Sequence, residues 1–246
     1  YLRSGESDKQ SSFADYGWEP QPAADGTISN LQANLSHNNV DWVNWAFRAA
    51  PGFFDVVTYD GDPNQAYVPQ TISHNLGSAP GAMIIKAISP YHGVDWLVYH
   101  KELGATQYLL LNHEGPAGTA TNSFNDTEPT DSEFTVGAFS AGTNNNGNSY
   151  VAYLFADDTP GLIKCGSYTG AGGYSASAPE TVTEVNVGFQ PRWMMIKRAD
   201  SSGNWVILDE DMDDHTYLKA NSPDQQGGVN WNFTSTGERL VGEWDS

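Results

Sequence analysis

At 246 residues the chain exceeds one ordinary compact domain of roughly 100–150 residues, and 39% hydrophobic residues with eight tryptophans supply ample core material, which argues against disorder. Eleven basic against thirty acidic residues leave a net charge of −19, which repels phosphate backbones and anionic headgroups and so argues against nucleic acid and membrane surfaces as partners. Only 17% of residues are charged, so the surface falls to Asn, Ser, Thr, Gly and Gln, a composition common in strand-and-turn proteins that work outside a cell.

A single cysteine, Cys165, rules out an intrachain disulfide, and no Cys/His cluster has zinc-ligand spacing. An extracellular protein without disulfides fits assembly in a reducing cytoplasm before action outside it. No stretch approaches the roughly 20 apolar residues of a membrane span. The N-terminus lacks a signal-peptide layout and has no Met, so the chain reads as a portion of something longer.

In chain order, Trp42–Phe47 reads as the first strand. It is followed by FFDVVTY from Phe53, GAMIIKA from Gly81, DWLVYH from Asp95, QYLLLN from Gln107, EFTVGAF from Glu133 and SYVAYLF from Ser149. Clusters of Gly, Pro, Asn and Asp bound these runs, as they bound strands. Gly142–Asn148 reads as a loop, and no stretch keeps helical 3.6-residue spacing over a dozen residues. The expectation is an all-β chain of tandem, jelly-roll-like β-sandwich units with little helix.

The tandem reading rests on phrases that return at spacings of about 108 residues. Trp42–Phe47 returns as Tyr150–Phe155 with its aromatic and apolar positions kept. PGFFDVVTYDG from Pro51 returns as PGLIKCGSYTG from Pro160, LGSAPGAMIIK from Leu76 as VGFQPRWMMIK from Val187, and DWLVY from Asp95 as NWVIL from Asn204. Tyr108-Leu109 returns as Tyr217-Leu218, and Tyr1-Leu2 looks like the same point of an earlier copy. Polar links before each Pro-Gly place unit edges there. Residues 1–50 are then the C-terminal part of a preceding unit, 51–159 a complete sandwich, and 160–246 a second, incomplete one; a framing that starts units at each Tyr-Leu is the alternative.

Internal copies act as a control on chemistry, because a residue that every unit needs should reappear at the matched position. His100, near Glu102, is matched by Asp209 and so reads as a surface histidine, and His74 and His113 likewise have no histidine counterpart. Asp55, the acid inside a strand run, is matched by Lys164, which speaks against a glycosidase carboxylate pair. Asp60, Asp62 and Asn64 have the alternate-oxygen spacing of a calcium loop and are candidate calcium ligands. Gln65 and Thr71 depart from the rest of that pattern, and Thr169 replaces the first ligand in the other copy. Asp209–Asp214 is a second acidic cluster that reads as a solvated charge run.

Cys165 matches Val56 and reads as a small buried hydrophobe in a strand, while Trp96 and Trp205 share one matched position and read as core. Tyr67, Tyr91, His92, Tyr174 and Trp231 fall in or beside loop-like segments that differ between copies, where a sugar- or protein-binding face would place aromatics. Asn34, Asn125 and Asn232 carry glycosylation sequons, which matter only in a host that glycosylates.

The phrases PGFFDVVTYDG, QTISHNLGSAPGAMIIK, WLVYHKELGATQYLLLN, NSYVAYLFADD and LIKCGSYTG resemble, in order over about residues 36–220, an uncharacterised tandem β-repeat domain of tail-fibre and other appendage proteins of marine bacteriophages. The resemblance implies a virion structural protein without established catalytic residues. The expected partners are further copies of itself, as a homo-oligomer and by analogy with fibres a trimer, other virion proteins, and a host surface glycan. A calcium-assisted lectin is the alternative reading, and an envelope polysaccharide-degrading enzyme a third.

Overall fold

The computed structural model describes residues 21–22, 28–29, 44–62, 68–89, 94–138, 142–170, 183–210, 212, 216–222, 227–228, 231–236 and 239–244. It is all-β, with no helix among these residues. A short hairpin of β1 (Gln21–Pro22) and β2 (Ile28–Ser29) precedes the first large assembly.

That assembly contains β3 (Phe54–Asp60), β4 (Gln70–Ser73), β5 (Pro80–Ser89), β6 (Leu97–His100), β7 (Gln107–Leu110), β8 (Gly118–Thr119), β9 (Glu133–Val136) and β10 (Ser149–Ala156). Six of these strands form one antiparallel sheet in the order β3-β10-β5-β6-β7-β8, and β4 pairs with β9 as a second layer. The apolar runs that start at Phe53, Gly81, Asp95, Gln107, Glu133 and Ser149 supply most of β3, β5, β6, β7, β9 and β10. Val, Ile, Tyr and Phe there present stiff, wide side chains to a pleated surface, which is where such residues pack best.

Strand periodicity of two divides the large sheet into two apolar faces. Met83, Ile85 and Ala87 of β5, Leu97 and Tyr99 of β6, and Tyr150, Ala152 and Leu154 of β10 point inward, where Phe134 and Val136 of β9 and Ile72 of β4 close over them. The alternate residues Ile84, Val98 and Leu109, with Trp96 and Leu111 beside them, point the other way and are equally buried. A sheet that buries both faces needs a further layer.

The chain continues through β11 (Asp158–Thr159) and β12 (Ile163–Lys164), which pair with each other, and then β13 (Glu184–Asn186). Next come β14 (Trp193–Lys197), β15 (Trp205–Asp209), β16 (Thr216–Lys219) and β17 (Gly227–Gly228), a sheet in that order. β18 (Trp231–Thr236) and β19 (Arg239–Trp244) join β13 in a third sheet, ordered β13-β19-β18.

The sheet β14-β15-β16-β17 repeats β5-β6-β7-β8 in order and in register. Ile84 opposite Val98 returns as Met195 opposite Ile207, Val98 opposite Leu109 as Ile207 opposite Leu218, and Tyr108 opposite Gly118 as Tyr217 opposite Gly227. Connections repeat as well. The Leu111 N–H donates to Trp96 O at 2.9 Å and the Ala220 N–H to Trp205 O at 3.2 Å. Trp96 N–H is capped by Asn112 Oδ1 and Trp205 N–H by Asn221 Oδ1. The glycine after each Pro, Gly52 and Gly161, holds φ of 71° and 73°, a left-handed turn conformation that side chains resist, which explains why Pro-Gly survives in both copies.

Two expectations fail locally. Of Trp42–Phe47, read as a strand, the described residues 44–47 belong to no strand. Cys165 lies beyond the end of β12 and is only half-buried, and its match Val56 is exposed on the edge strand β3, so neither is a buried core hydrophobe. An edge strand leaves its outer side chains without a covering neighbour, which removes the pressure for burial there.

The Asn-rich loop 142–148 is a loop, as its composition indicates, but it is largely buried: Thr143, Asn144 and Asn148 are closed off from solvent. Asn144 Oδ1 accepts the Asp62 N–H at 2.9 Å and a Gln70 Nε2–H, while its Nδ2 donates to Val68 O at 2.8 Å. Tyr59 OH donates to Thr143 O, and Tyr150 OH accepts the Asn145 N–H. Gly61 lets the loop approach, because a Cβ there would lie 2.1 Å from Asn145 O. Buried polar groups left unpaired cost about 1–3 kcal/mol each, so Asn144→Ala is expected to destabilise the fold by about 3 kcal/mol, whereas Asn146→Ala, at an exposed position, should change it by less than about 0.5 kcal/mol. Urea denaturation of the two variants checks this.

Candidate functional site

The most developed feature of the molecule is the seam where the outer face of the six-stranded sheet meets the sheet β14-β15-β16-β17. Ile84, Trp96, Val98, Leu109 and Leu111 from one side pack with Trp205, Ile207 and Ala220 from the other, with half-buried Trp193, Met195 and Leu218 alongside. Met195, Trp205, Ile207, Leu218 and Ala220 are the matched positions of Ile84, Trp96, Val98, Leu109 and Leu111. The two sheets therefore meet through corresponding faces, as in an isologous contact between identical subunits. Burying such side chains contributes about 1.5–3 kcal/mol each.

Directed bonds fix the alignment. Trp205 Nε1 donates to Leu110 O at 2.9 Å, the Ala117 N–H to Ala199 O at 2.8 Å, and the Gly203 N–H to Glu114 O at 2.8 Å. Lys197 Nζ donates to Arg198 O at 2.6 Å and to Glu114 O at 3.3 Å, and its partial burial pulls its pKa below the ordinary lysine value. Its match, Lys86, is 1% exposed; its Nζ donates to Val94 O and stands 6.0 Å from the centre of the Trp96 ring. A carbonyl and an aromatic face can hold a desolvated ammonium in this way.

The candidate residues read from the sequence are dispersed rather than gathered. Asp60 is exposed and accepts Ser149 Oγ–H at 2.7 Å; Asp62 is buried and accepts the Val68 N–H at 3.3 Å; Asn64 lies outside the described residues. Among the described residues no group of His, Cys, Asp and Glu converges on a metal-sized site. In the acidic cluster, Asp209 accepts Trp45 Nε1–H at 2.6 Å and Glu210 pairs with Arg192, while Asp211, Asp213 and Asp214 lie outside the described residues. Tyr67, Tyr91, His92, Tyr174 and Asn34 also lie outside them, as do the side chains of Trp231 and Asn232 on β18; Asn125 is exposed in a turn at φ 55°. Trp96 and Trp205 are both buried, in the seam.

His100, Lys101, Glu102, Asp157 and Ser167 form a polar group. Lys101 Nζ pairs with Asp157 Oδ1 at 2.5 Å, and Ser167 Oγ lies 3.4 Å from Glu102 Oε2. His100 Nδ1 accepts the Glu102 N–H at 3.3 Å, a turn-closing bond. Cys165 nearby has its thiol pushed up to about 12 by burial and by Asp157, the direction that favours the protonated thiol. His113 meets Asp95 at 3.2 Å, and the same carboxylate oxygen accepts Asn112 Nδ2–H, so this pair closes a turn.

What the sequence reading missed is the seam itself. Its signal is present: LVY, MII and VAYLF are unbroken apolar runs, the pattern of strands buried on both faces, where a sheet open to water on one side would alternate with polar residues.

Fold and seam together define an all-β protein of face-to-face antiparallel sheets. Within that class the chain belongs to the family described as Domain of unknown function (DUF7483), whose model matches residues 7–240. That one match runs across both sheets of the seam and across positions 50 and 159. No curated protein and no solved structure matches the chain.

Two histidines make stability depend on pH. His74 is buried and stacked on Phe134, its Nδ1 accepts the Leu76 N–H at 3.2 Å, and burial lowers its pKa from the ordinary imidazole value. Burial lowers that of His100 too. A histidine whose folded pKa lies below its unfolded pKa of about 6.5 imposes no cost above that pH, and stability is lost as the pH falls beneath it. The thermal midpoint should drop between pH 7.5 and 5.5, and His74→Gln with His100→Gln should drop less over the same interval; equal losses would contradict these assignments.

Proposed function

We propose that the protein is a structural subunit of a bacteriophage virion, in a tail fibre or another adhesive appendage, where it contributes to attachment to the host surface. The observation that carries this reading is the seam. Copies of one sheet locked through matching apolar faces make a stiff paired body that needs little new folding information, which suits a building block of a larger appendage. The phrases that recur along the chain, and their resemblance to appendage proteins, support the same role.

Segments that differ in sequence between the copies, such as those around Tyr67, Tyr91 and Tyr174, fall between the apolar phrases of the sequence, where a binding face tolerates change. The acidic surface with its low proportion of basic groups disfavours adhesion to phosphate-rich polymers and favours neutral polar partners such as a host surface glycan, with copies of the chain joined in a symmetric oligomer. Gold-labelled antibodies against the chain, applied to phage particles that encode it and viewed by electron microscopy, test the assignment. Label on fibres or other projections, with reduced adsorption to host cells, is the expected result. Particles that carry no label and adsorb normally would overturn it.

A further inference from the structure

In the first assembly β5 is flanked by β6 on one side and β10 on the other. Its counterpart β14 pairs with β15, and among the described residues its other edge has no strand on it. Met83, Ile84 and Ile85 of β5 are buried, whereas Met194, Met195 and Ile196 of β14 are half-exposed. An apolar strand with an unpaired edge is an acceptor for another strand.

The phrase that fills this place in the first assembly is Tyr150–Phe155 on β10, and its sequence copy is Trp42–Phe47. Side chains of that copy already stand at the corresponding places. Trp45, matched to Tyr153, packs in the same apolar layer as Tyr153 itself. It meets Trp193 at 6.2 Å between ring centres, and its Nε1 reaches Asp209, the residue paired with Trp193 across β14 and β15. Phe47, matched to Phe155, lies 6.0 Å from Trp193, whose counterpart Ala82 is the residue that Phe155 pairs with on β5. Phe47 and Phe155 also meet each other edge to face at 6.0 Å, as corresponding residues do where two like faces join.

We infer that the free edge of β14 is a strand-acceptor site and that its occupant is the segment Asn44–Phe47 of the same chain, aligned on β14 as Ala152–Phe155 are on β5. The N-terminal segment then completes the C-terminal sheet, and the two assemblies form a closed pair in place of one complete unit between two fragments. This goes beyond the appendage reading and does not depend on it. Leu154 pairs with Met83 in the first assembly, so the alignment sets Ala46 opposite Met194.

The full chain carrying Ala46→Cys and Met194→Cys, with Cys165→Ser to remove the native thiol, tests the alignment under mild oxidation. The expected product is a disulfide within a monomer, seen by mass spectrometry after denaturing electrophoresis. No disulfide in folded protein, or one found only in dimers because a second copy supplies the strand, would overturn the inference. Hydrogen exchange on the unmodified chain gives an independent reading. Slow exchange at every backbone amide from Trp193 to Lys197 is expected, as for a strand paired on both edges; fast exchange at alternate amides would mark a bare edge and overturn it.

Discussion

A sheet with apolar side chains on both faces cannot remain a surface, and this constraint organises the molecule. One face of the six-stranded sheet is closed by β4 and β9; the other presents Trp96, Val98, Leu109 and Leu111, a patch too large and too apolar to leave in water. The sheet β14-β15-β16-β17 meets that requirement with matched residues of its own. Each half thus depends on the other for its outer layer.

Duplication explains how such a contact arises at little cost in information. A sequence that makes one face apolar makes the same face apolar in its copy, and two copies on one chain meet at high effective concentration. The residues kept between copies are those with a part in the sheets or their turns: Gly52 and Gly161 in left-handed turns, Asn112 and Asn221 capping the strands that begin at the tryptophans, and Lys86 and Lys197 holding their charges against backbone carbonyls. The residues that change, such as His100 to Asp209 and Asp55 to Lys164, stand where either side chain can serve a turn or meet solvent.

Much of the strand content was readable in advance, because FFDVVTY, GAMIIKA and SYVAYLF combine β-branched and aromatic residues between turn residues, and those two signals agree. The short β4 and β8 were missed; Gln70–Ser73 is largely polar, and its strand pairing with β9 comes from tertiary context. Kinship with Tyr150–Phe155 makes Trp42–Phe47 read as a strand, and what the structure shows of it is the side-chain contact of Trp45 and Phe47 with Trp193. The buried role of Asn144 was hidden for a related reason. A run of Asn and Gly reports local turn preference and says nothing about which backbone groups it will later satisfy. Of the calcium-spaced residues, Asp60 accepts from Ser149 at the end of β3 and Asp62, just past it, accepts the Val68 N–H.

Mutual dependence through the seam is the central claim, and differential scanning calorimetry of the full chain with its Trp205→Ala variant tests it most directly. Truncating a buried tryptophan removes about 3–5 kcal/mol, and a shared outer layer predicts one cooperative transition that moves as a whole to lower temperature in the variant. Two separate transitions, of which only the later-sequence sheet responds to the substitution, would contradict it.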